Sequence, residues 1–243
     1  MDPGEYQVMY QVEDTMWWYR GMARITQAVL DRYYANESEL RILDAGCGTC
    51  GAIAYLTRYG KVTGIDFSPY ALQYGRQRGK GALARGSVDV LPFAQSSFDL
   101  VTSFDVLCVN TVDDDRALRE FGRVLVSGGR VVLRLPAYNW LHGAHDVAVN
   151  IAHRYTTHDI AARIRRVGLV VDHLSYANMW LFPLALAKRW GEQLLPEQQR
   201  SDLTLSFGPL DPVFAGVLAS EAPLVAARGL PLGLTVVAVA HKR

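Results

Sequence analysis

Residues 43–51 read Leu-Asp-Ala-Gly-Cys-Gly-Thr-Cys-Gly and decide the fold. The three glycines have the GxGxxG spacing of a turn that joins a strand to a helix and brings the backbone close to a nucleotide. The segment at 40–44, Leu-Arg-Ile-Leu-Asp, predicts the strand, and residues 51–59 predict the helix. We therefore expect a strand–turn–helix unit with a ligand at its turn.

Beyond this unit, segments typical of strands alternate with segments typical of helices. The further predicted strands are 61–66, 82–86, 98–104, 130–135, 168–175 and 232–240. The predicted helices are 6–34 (one helix or two), 70–78, 113–125, 156–167, 178–195 and 212–227. Such alternation predicts a parallel sheet with helices on both faces, which is an α/β, doubly wound, Rossmann-like fold.

The composition excludes several function classes. The chain has 243 residues, half of them hydrophobic, and its 25 basic and 24 acidic side chains leave a net charge of +1. Such a balance gives no strong attraction to nucleic acid. The sequence shows us no unbroken apolar run of about 18 residues and no signal peptide, and three cysteines are too few for a disulfide framework. We expect a cytoplasmic protein without a membrane span, a monomer or homodimer.

Two acidic residues indicate the chemistry of the ligand. Asp44 lies two residues before Gly46, and Asp66 lies 20 residues after it. Asp66 can accept hydrogen bonds from ribose hydroxyls in an NAD site as well as in a site for S-adenosylmethionine (SAM). Asp44 would repel a pyrophosphate but attract the sulfonium and ammonium of SAM, so the loop favours SAM. An NAD-dependent oxidoreductase is the first alternative, and a non-catalytic SAM-fold binding protein is the second.

Further motifs make the chain resemble the class I SAM-dependent methyltransferases often called type 11. These motifs are LDAGCG at 43–48, the strand and acid at 62–66, LPF at 91–93, SFDLV at 97–101, and RVL at 123–125 with the glycines at 128–129. The resemblance covers about residues 41–135, and DTMWWYRG at 14–21 is similar to a signature of bacterial members. It implies a seven-stranded sheet whose last strand, 232–240, runs antiparallel. It also implies methyl transfer from SAM to a small molecule of apolar character, such as a natural-product or cell-surface intermediate, with S-adenosylhomocysteine as product.

The same resemblance implies where SAM binds. It assigns Asp44 and Gly46 to the methionine end, Asp66 to the ribose, and Ser87 with Val88 to the adenine. The aromatic run Trp17-Trp18-Tyr19 either covers the ligand, with Arg20 at its carboxylate, or is a buried cluster. The complete set of expected cofactor contacts is Trp18, Tyr19, Arg20, Asp44, Gly46, Cys47, Gly48, Asp66, Phe67, Ser87, Val88 and Phe104.

Candidates for the chemistry follow the fifth predicted strand. Methyl transfer to an oxygen or nitrogen requires in-line positioning and removal of a proton. His145 with Asp146 could supply the base, because histidine titrates near neutral pH, and Tyr138 is a further candidate. The histidines at 142, 145 and 153 with Asp146 match no zinc spacing, and Cys47-x-x-Cys50 lacks a second pair, so we expect no metal.

The chain is expected to be one methyltransferase domain over residues 1–243. We divide it into an N-terminal helical segment at 1–39, a SAM-binding core at 40–135, an acceptor-side loop and lid with the sixth strand at 136–210, and a last helix and strand at 211–243. The apolar stretch at 180–190 is interpreted as a lid over an apolar acceptor, with a plain core role as the alternative.

Overall fold

A computed structural model describes residues 3–143, 146–147, 149–187 and 208–243, which form a seven-stranded sheet in the order β3-β2-β1-β4-β5-β7-β6. The strands are β1 Leu40–Ala45, β2 Gly60–Asp66, β3 Ala82–Arg85, β4 Phe98–Phe104, β5 Leu125–Pro136, β6 Val170–Ala177 and β7 Thr235–His241. The helices are α1 Pro3–Val12, α2 Trp17–Tyr34, α3 Ile53–Leu56, α4 Pro69–Gln77, α5 Asp114–Val124, α6 Thr157–Arg166, α7 Asp211–Ala219 and α8 Ala222–Ala227.

The sheet is mixed in the way that the sequence predicts. β1 pairs in parallel with β2 and with β4, and β7 runs antiparallel between β5 and β6. The strand order reverses between β1 and β4, and in open α/β sheets ligands bind outside the carboxyl ends of the strands at such a point. The doubly wound, seven-stranded fold with an antiparallel last strand is confirmed, and its switch point lies beside the glycine-rich turn.

Both faces of the sheet are buried at the centre of β1, which explains why the successive residues Ile42 and Leu43 are both apolar. Leu43 points into the apolar layer that contains Leu118 of α5, and Ile42 points into the opposite layer with Ile25 of α2. All four side chains are fully buried. Strands covered on both faces lack the polar alternation of a half-exposed sheet.

Side-chain caps fix the helices that follow the strands. Ser68 accepts the backbone N–H of Ala71 at the start of α4. Thr156 forms a capping box with Asp159 at the start of α6. Each cap satisfies a backbone donor that the first helical turn leaves open. The predicted helix starts at 70 and 156 are therefore confirmed to within one residue.

Several predicted boundaries are wrong for identifiable reasons. The helix after the glycine-rich turn is a single turn, α3, because the turn itself extends to residue 52. The predicted helix at 212–227 divides into α7 and α8 at Glu221, which accepts hydrogen bonds from outside the helix. The predicted helix at 178–195 begins only at 182, so Pro183 lies in its first turn, where proline is tolerated. The rest of that helix, beyond residue 187, lies outside the described residues.

One stretch meets the length and composition of a membrane span, which corrects the expectation that none does. It is Gly208–Ala227, with a mean hydropathy of 1.4, of which 28% is buried. Buried core helices meet the same criterion. In the structure this stretch is interrupted between α7 and α8 by the fully buried Glu221.

Candidate active site

The glycine-rich turn is held tightly against the end of β2. The backbone N–H groups of Gly46 and Cys47 both donate to the carbonyl of Ile65, at 2.8 and 2.9 Å. Gly46 has φ +81°, and a Cβ atom placed on it would overlap the side chain of Val106. Only glycine therefore fits this position, both in conformation and in space.

Asp44 lies at the carboxyl end of β1 with its carboxylate almost fully buried. Its Oδ1 accepts a hydrogen bond of 2.8 Å from the hydroxyl of Thr102, while its Oδ2 is buried without a partner. Burial raises the pKa of Asp44 to about 7, against the opposing effect of the Thr102 hydrogen bond. A buried carboxylate oxygen without a donor is costly, and a cationic ligand would satisfy it.

Asp66 closes the other side of the turn. Its Oδ2 accepts the backbone N–H of Gly48 at 2.9 Å, and its Oδ1 accepts that of Ser68 at 2.8 Å. Burial raises the pKa of this carboxyl, and the two backbone donors oppose the rise. Each carboxylate oxygen has further acceptor capacity, so Asp66 can also receive hydroxyl groups of a ligand.

A cavity of about 1460 Å³ opens above the carboxyl ends of the strands. Its wall includes all twelve residues that the sequence predicts as cofactor contacts, Trp18, Tyr19, Arg20, Asp44, Gly46, Cys47, Gly48, Asp66, Phe67, Ser87, Val88 and Phe104. Sites for one small molecule usually have about 300–1,000 Å³. The cavity therefore has room for two ligands side by side.

Aromatic residues and one buried arginine form the wall between α2 and β5. The guanidinium of Arg134 lies 5.1 Å from the ring centroid of Trp18 and 4.8 Å from that of Phe104. It also forms an ion pair of 3.0 Å with Asp105. Trp17 and Trp18 both line the cavity, and Trp17 is buried with its ring centroid 5.8 Å from that of Phe214. The covering role of Trp18 stays a prediction.

The N-terminal helix covers the glycine-rich turn through ionic contacts that sequence reasoning missed. Thr49 donates a short hydrogen bond to Glu13, and a Cβ atom at Gly51 would overlap the same glutamate. Arg78 pairs with Glu13 at 3.1 Å and with Asp14 at 2.6 Å. Glu13 and Asp14 both line the cavity. No sequence motif marks these contacts, because they join residues between 36 and 65 positions apart.

Two of the three predicted catalytic residues lie elsewhere than the cavity wall, and the third, His145, lies outside the described residues. Asp146 is fully buried and binds Arg154 at 2.7 Å. Its other oxygen accepts the backbone N–H of Gly143, so it fixes the loop rather than the ligand. The ring of Tyr138 stacks on Tyr176, with centroids 5.1 Å apart, and Tyr138 is not among the residues that line the cavity.

The sulfur atoms of Cys47 and Cys50 lie 3.7 Å apart, and both cysteines are buried. The contact between the two thiols and their burial raise the pKa of Cys47, which disfavours the thiolate that metals bind. Among the described residues, no three side chains of His, Cys, Asp or Glu come together as a metal site.

Comparisons with known proteins agree with this geometry. Residues 43–133 match the family model of a methyltransferase domain. A demethylmenaquinone methyltransferase of Thermobifida fusca is 40% identical over 116 residues, which cover 44% of this chain and 47% of that protein. The chain spans about half the length of the curated relatives it matches.

Two solved structures share the fold at low sequence identity. A chain of the Haloferax volcanii complex between the Trm112 methyltransferase activator and a methyltransferase has a TM-score of 0.63 and 20% identity, covering 98% of this chain and 93% of that one. A geranyl diphosphate methyltransferase solved with SAM has a TM-score of 0.58 and 18% identity, covering 90% and 85%. Residues 43–133 therefore match a methyltransferase domain, and the chain shares its fold with solved methyltransferases.

Proposed function

We propose that this protein binds SAM beside the glycine-rich turn and transfers its methyl group to a small, largely apolar acceptor. The observation that carries the proposal is the unpartnered Oδ2 of Asp44, buried at the end of β1 on the cavity wall. A pyrophosphate at this place would add a negative charge beside a buried carboxylate. A ligand with an ammonium and a sulfonium would supply the missing positive partner.

The residues of the cavity fit the parts of SAM one by one. Asp44 and the close-packed Gly46 would hold the cationic methionine end, and Asp66 would accept the ribose hydroxyls. Ser87 and the buried Val88 would border the adenine. When bound, SAM supplies an electrophilic methyl group on its sulfonium. The geranyl diphosphate methyltransferase of the same fold was solved with this cofactor.

The remainder of the cavity is suited to the acceptor. Its wall there is largely apolar and includes Leu181, Leu184 and Phe214. An apolar wall excludes water and holds the acceptor in line with the methyl group, which is most of what a displacement at carbon requires. The named acceptor of the Thermobifida fusca relative is a demethylmenaquinone, which fits an apolar wall.

Calorimetric titration with SAM, S-adenosylhomocysteine and NAD tests the cofactor. We expect SAM and S-adenosylhomocysteine to bind and NAD not to bind, because only SAM and S-adenosylhomocysteine place a positive charge at Asp44. Tight NAD binding without a response to SAM would show an oxidoreductase instead.

Incubation with SAM and a panel of hydroxylated apolar compounds tests the transfer. The expected result is formation of S-adenosylhomocysteine together with a product that is 14 mass units heavier, the gain of one CH2 on methylation. SAM binding without S-adenosylhomocysteine from any compound of the panel would favour the non-catalytic binding protein.

A further inference from the structure

A second residue of the cavity wall has a buried polar atom without a partner. Asn178 follows β6 directly, lines the cavity and is 2% exposed. Its Oδ1 has no hydrogen-bond partner. Because β5 and β6 both run antiparallel to β7, they are parallel to each other, so Asn178 lies at the sheet edge where ligands bind.

A buried carboxylate holds Asn178 in place. Glu221, fully buried between α7 and α8, accepts the backbone N–H of Asn178 at 2.6 Å and that of Trp180 at 2.8 Å. These two charge-assisted hydrogen bonds hold the turn after β6 in place. Bonds of this kind are among the stronger hydrogen bonds in proteins. The backbone of Asn178 is therefore held in place by the fold itself, and its Oδ1 is not used in these contacts.

The surroundings of Asn178 indicate what kind of group would meet it. The cavity that Asn178 lines is largely apolar, and Leu181, Leu184 and Phe214 also line it. A carbonyl oxygen buried in such a place costs about 1–3 kcal/mol while it lacks a donor. A ligand with a hydroxyl or amino group on an apolar body would remove this cost, and a ligand without one would not.

We propose that Oδ1 of Asn178 accepts a hydrogen bond from a hydroxyl or amino group of the methyl acceptor and so selects hydroxylated or aminated apolar acceptors. The proposal rests on the proposed function, because that function makes the ligand a methyl acceptor. The preference for a hydroxyl or amino group is a binding property, however, and can be measured without turnover. Asn178 is a specificity-determining residue in this assignment. Its Oδ1 accepts a hydrogen bond, and the hydrogen atom stays on the ligand.

The backbone of Asn178 offers a competing explanation that the test must separate. Its φ is +64°, and asparagine is one of the few non-glycine residues that adopt this conformation readily. If conformation alone explains the residue, glycine will replace it without loss of any preference. If the amide binds the acceptor, glycine will preserve the turn and abolish the preference.

The probes are 2-naphthol and naphthalene, which differ by one hydroxyl group, measured by equilibrium dialysis with and without S-adenosylhomocysteine. We expect the protein to bind 2-naphthol about tenfold more tightly, the value of one hydrogen bond to a buried acceptor. In Asn178→Gly, the ratio of the two affinities should fall to the value that the different hydrophobicity of the two probes gives by itself. Asn178→Asp keeps both an acceptor oxygen and the tolerance for positive φ, so it should retain the preference.

Ser96→Gly serves as the matched control, because Ser96 has φ +56° and is not part of the cavity wall. It should leave the preference and the affinity for S-adenosylhomocysteine unchanged. A preference that survives in Asn178→Gly, equal binding of both probes by the unmodified protein, or binding of neither would overturn the assignment. The comparison on the unmodified protein decides the question even if a variant does not fold. If the unmodified protein prefers 2-naphthol but does not bind S-adenosylhomocysteine, the proposed function is refuted and the binding role of Asn178 stands.

Discussion

Replacing Asp44 by asparagine should make the protein more stable and at the same time unable to bind its cofactor well. Burial raises the pKa of Asp44 to about 7, whereas the group titrates near 3.9 in an unfolded chain. This difference of about three units corresponds to roughly 4 kcal/mol against the folded state above pH 7, at 1.36 kcal/mol per unit. Asparagine is uncharged and avoids that cost.

The stabilisation of the folded state by Asp44→Asn is smaller than the full cost of the buried charge, for a geometric reason. In Asp44→Asn the amide oxygen can still accept the Thr102 hydroxyl, but the amide nitrogen takes the place of the unpartnered Oδ2. A buried N–H without an acceptor costs about 1–3 kcal/mol. A net stabilisation of about 1–3 kcal/mol is left, which for a chain of this size raises Tm by roughly 3–10 °C.

The sign of the pH dependence provides a sharper test. Between pH 4 and 7 the folded protein holds a proton on Asp44 that the unfolded chain has lost, so wild-type stability falls as pH rises through this window and levels off above it. Asp44→Asn lacks this slope. The difference in Tm between the two proteins should therefore be small at pH 5 and largest at pH 8, as differential scanning calorimetry can measure.

The affinity for SAM should fall in Asp44→Asn, whereas the stability of the folded state should rise. The loss of a charge-assisted contact lowers SAM affinity by about 10–100-fold in Asp44→Asn. In the wild type, SAM affinity should fall below pH 7 by up to about tenfold per pH unit, because protonation of Asp44 removes the negative charge. Both effects are measurable by titration calorimetry.

Asp99→Asn is the matched control. The hydrogen bond from Arg41 lowers the pKa of Asp99, and Asp99 is not part of the cavity wall. Its replacement should lower stability slightly at neutral pH and leave SAM affinity unchanged. A less stable Asp44→Asn at pH 8, or one that binds SAM like the wild type, would refute the reasoning.

Two further substitutions test the turn itself. Asp66→Ala should weaken SAM binding by about 10–100-fold, since it removes roughly 1.5–3 kcal/mol of charge-assisted hydrogen bonding; unchanged affinity in a folded protein would place the ribose elsewhere. Gly46→Ala should lower stability by at least about 1–3 kcal/mol, because its Cβ overlaps Val106 at φ +81°. Urea denaturation measures this loss, and a Gly46→Ala protein of wild-type stability would contradict the described packing.

The local part of the site could be predicted from the sequence because it depends on short spacings. The turn at 43–51 and Asp66 are fixed by strand and turn geometry within about 25 residues, and a parallel sheet brings the ends of adjacent strands together. Ser87 and Val88 were expected only because the resemblance to type 11 methyltransferases assigns them to the adenine, and both line the cavity. All of these residues lie on one wall, as the pattern predicts.

Long-range contacts could not be predicted in this way. Asn178 and Glu221 are 43 positions apart, and Glu13 meets Arg78 across 65 positions. The ion pair of Asp146 with Arg154 could not be predicted for a related reason, since no pattern in the sequence shows that Arg154 folds back onto Asp146. Such pairings depend on how the helices and loops pack on the finished sheet.

The interleaved order of the last strands has a consequence for how a nascent chain folds. β6 is synthesised before β7, yet β7 lies between β6 and β5 in the sheet. While β7 is still in the ribosome, β6 has no strand of its own sheet to pair with, although β1 to β5 can already assemble. Both strands can therefore join the sheet only after β7 has been synthesised, and until then the open edge of β5 can pair wrongly with other chains.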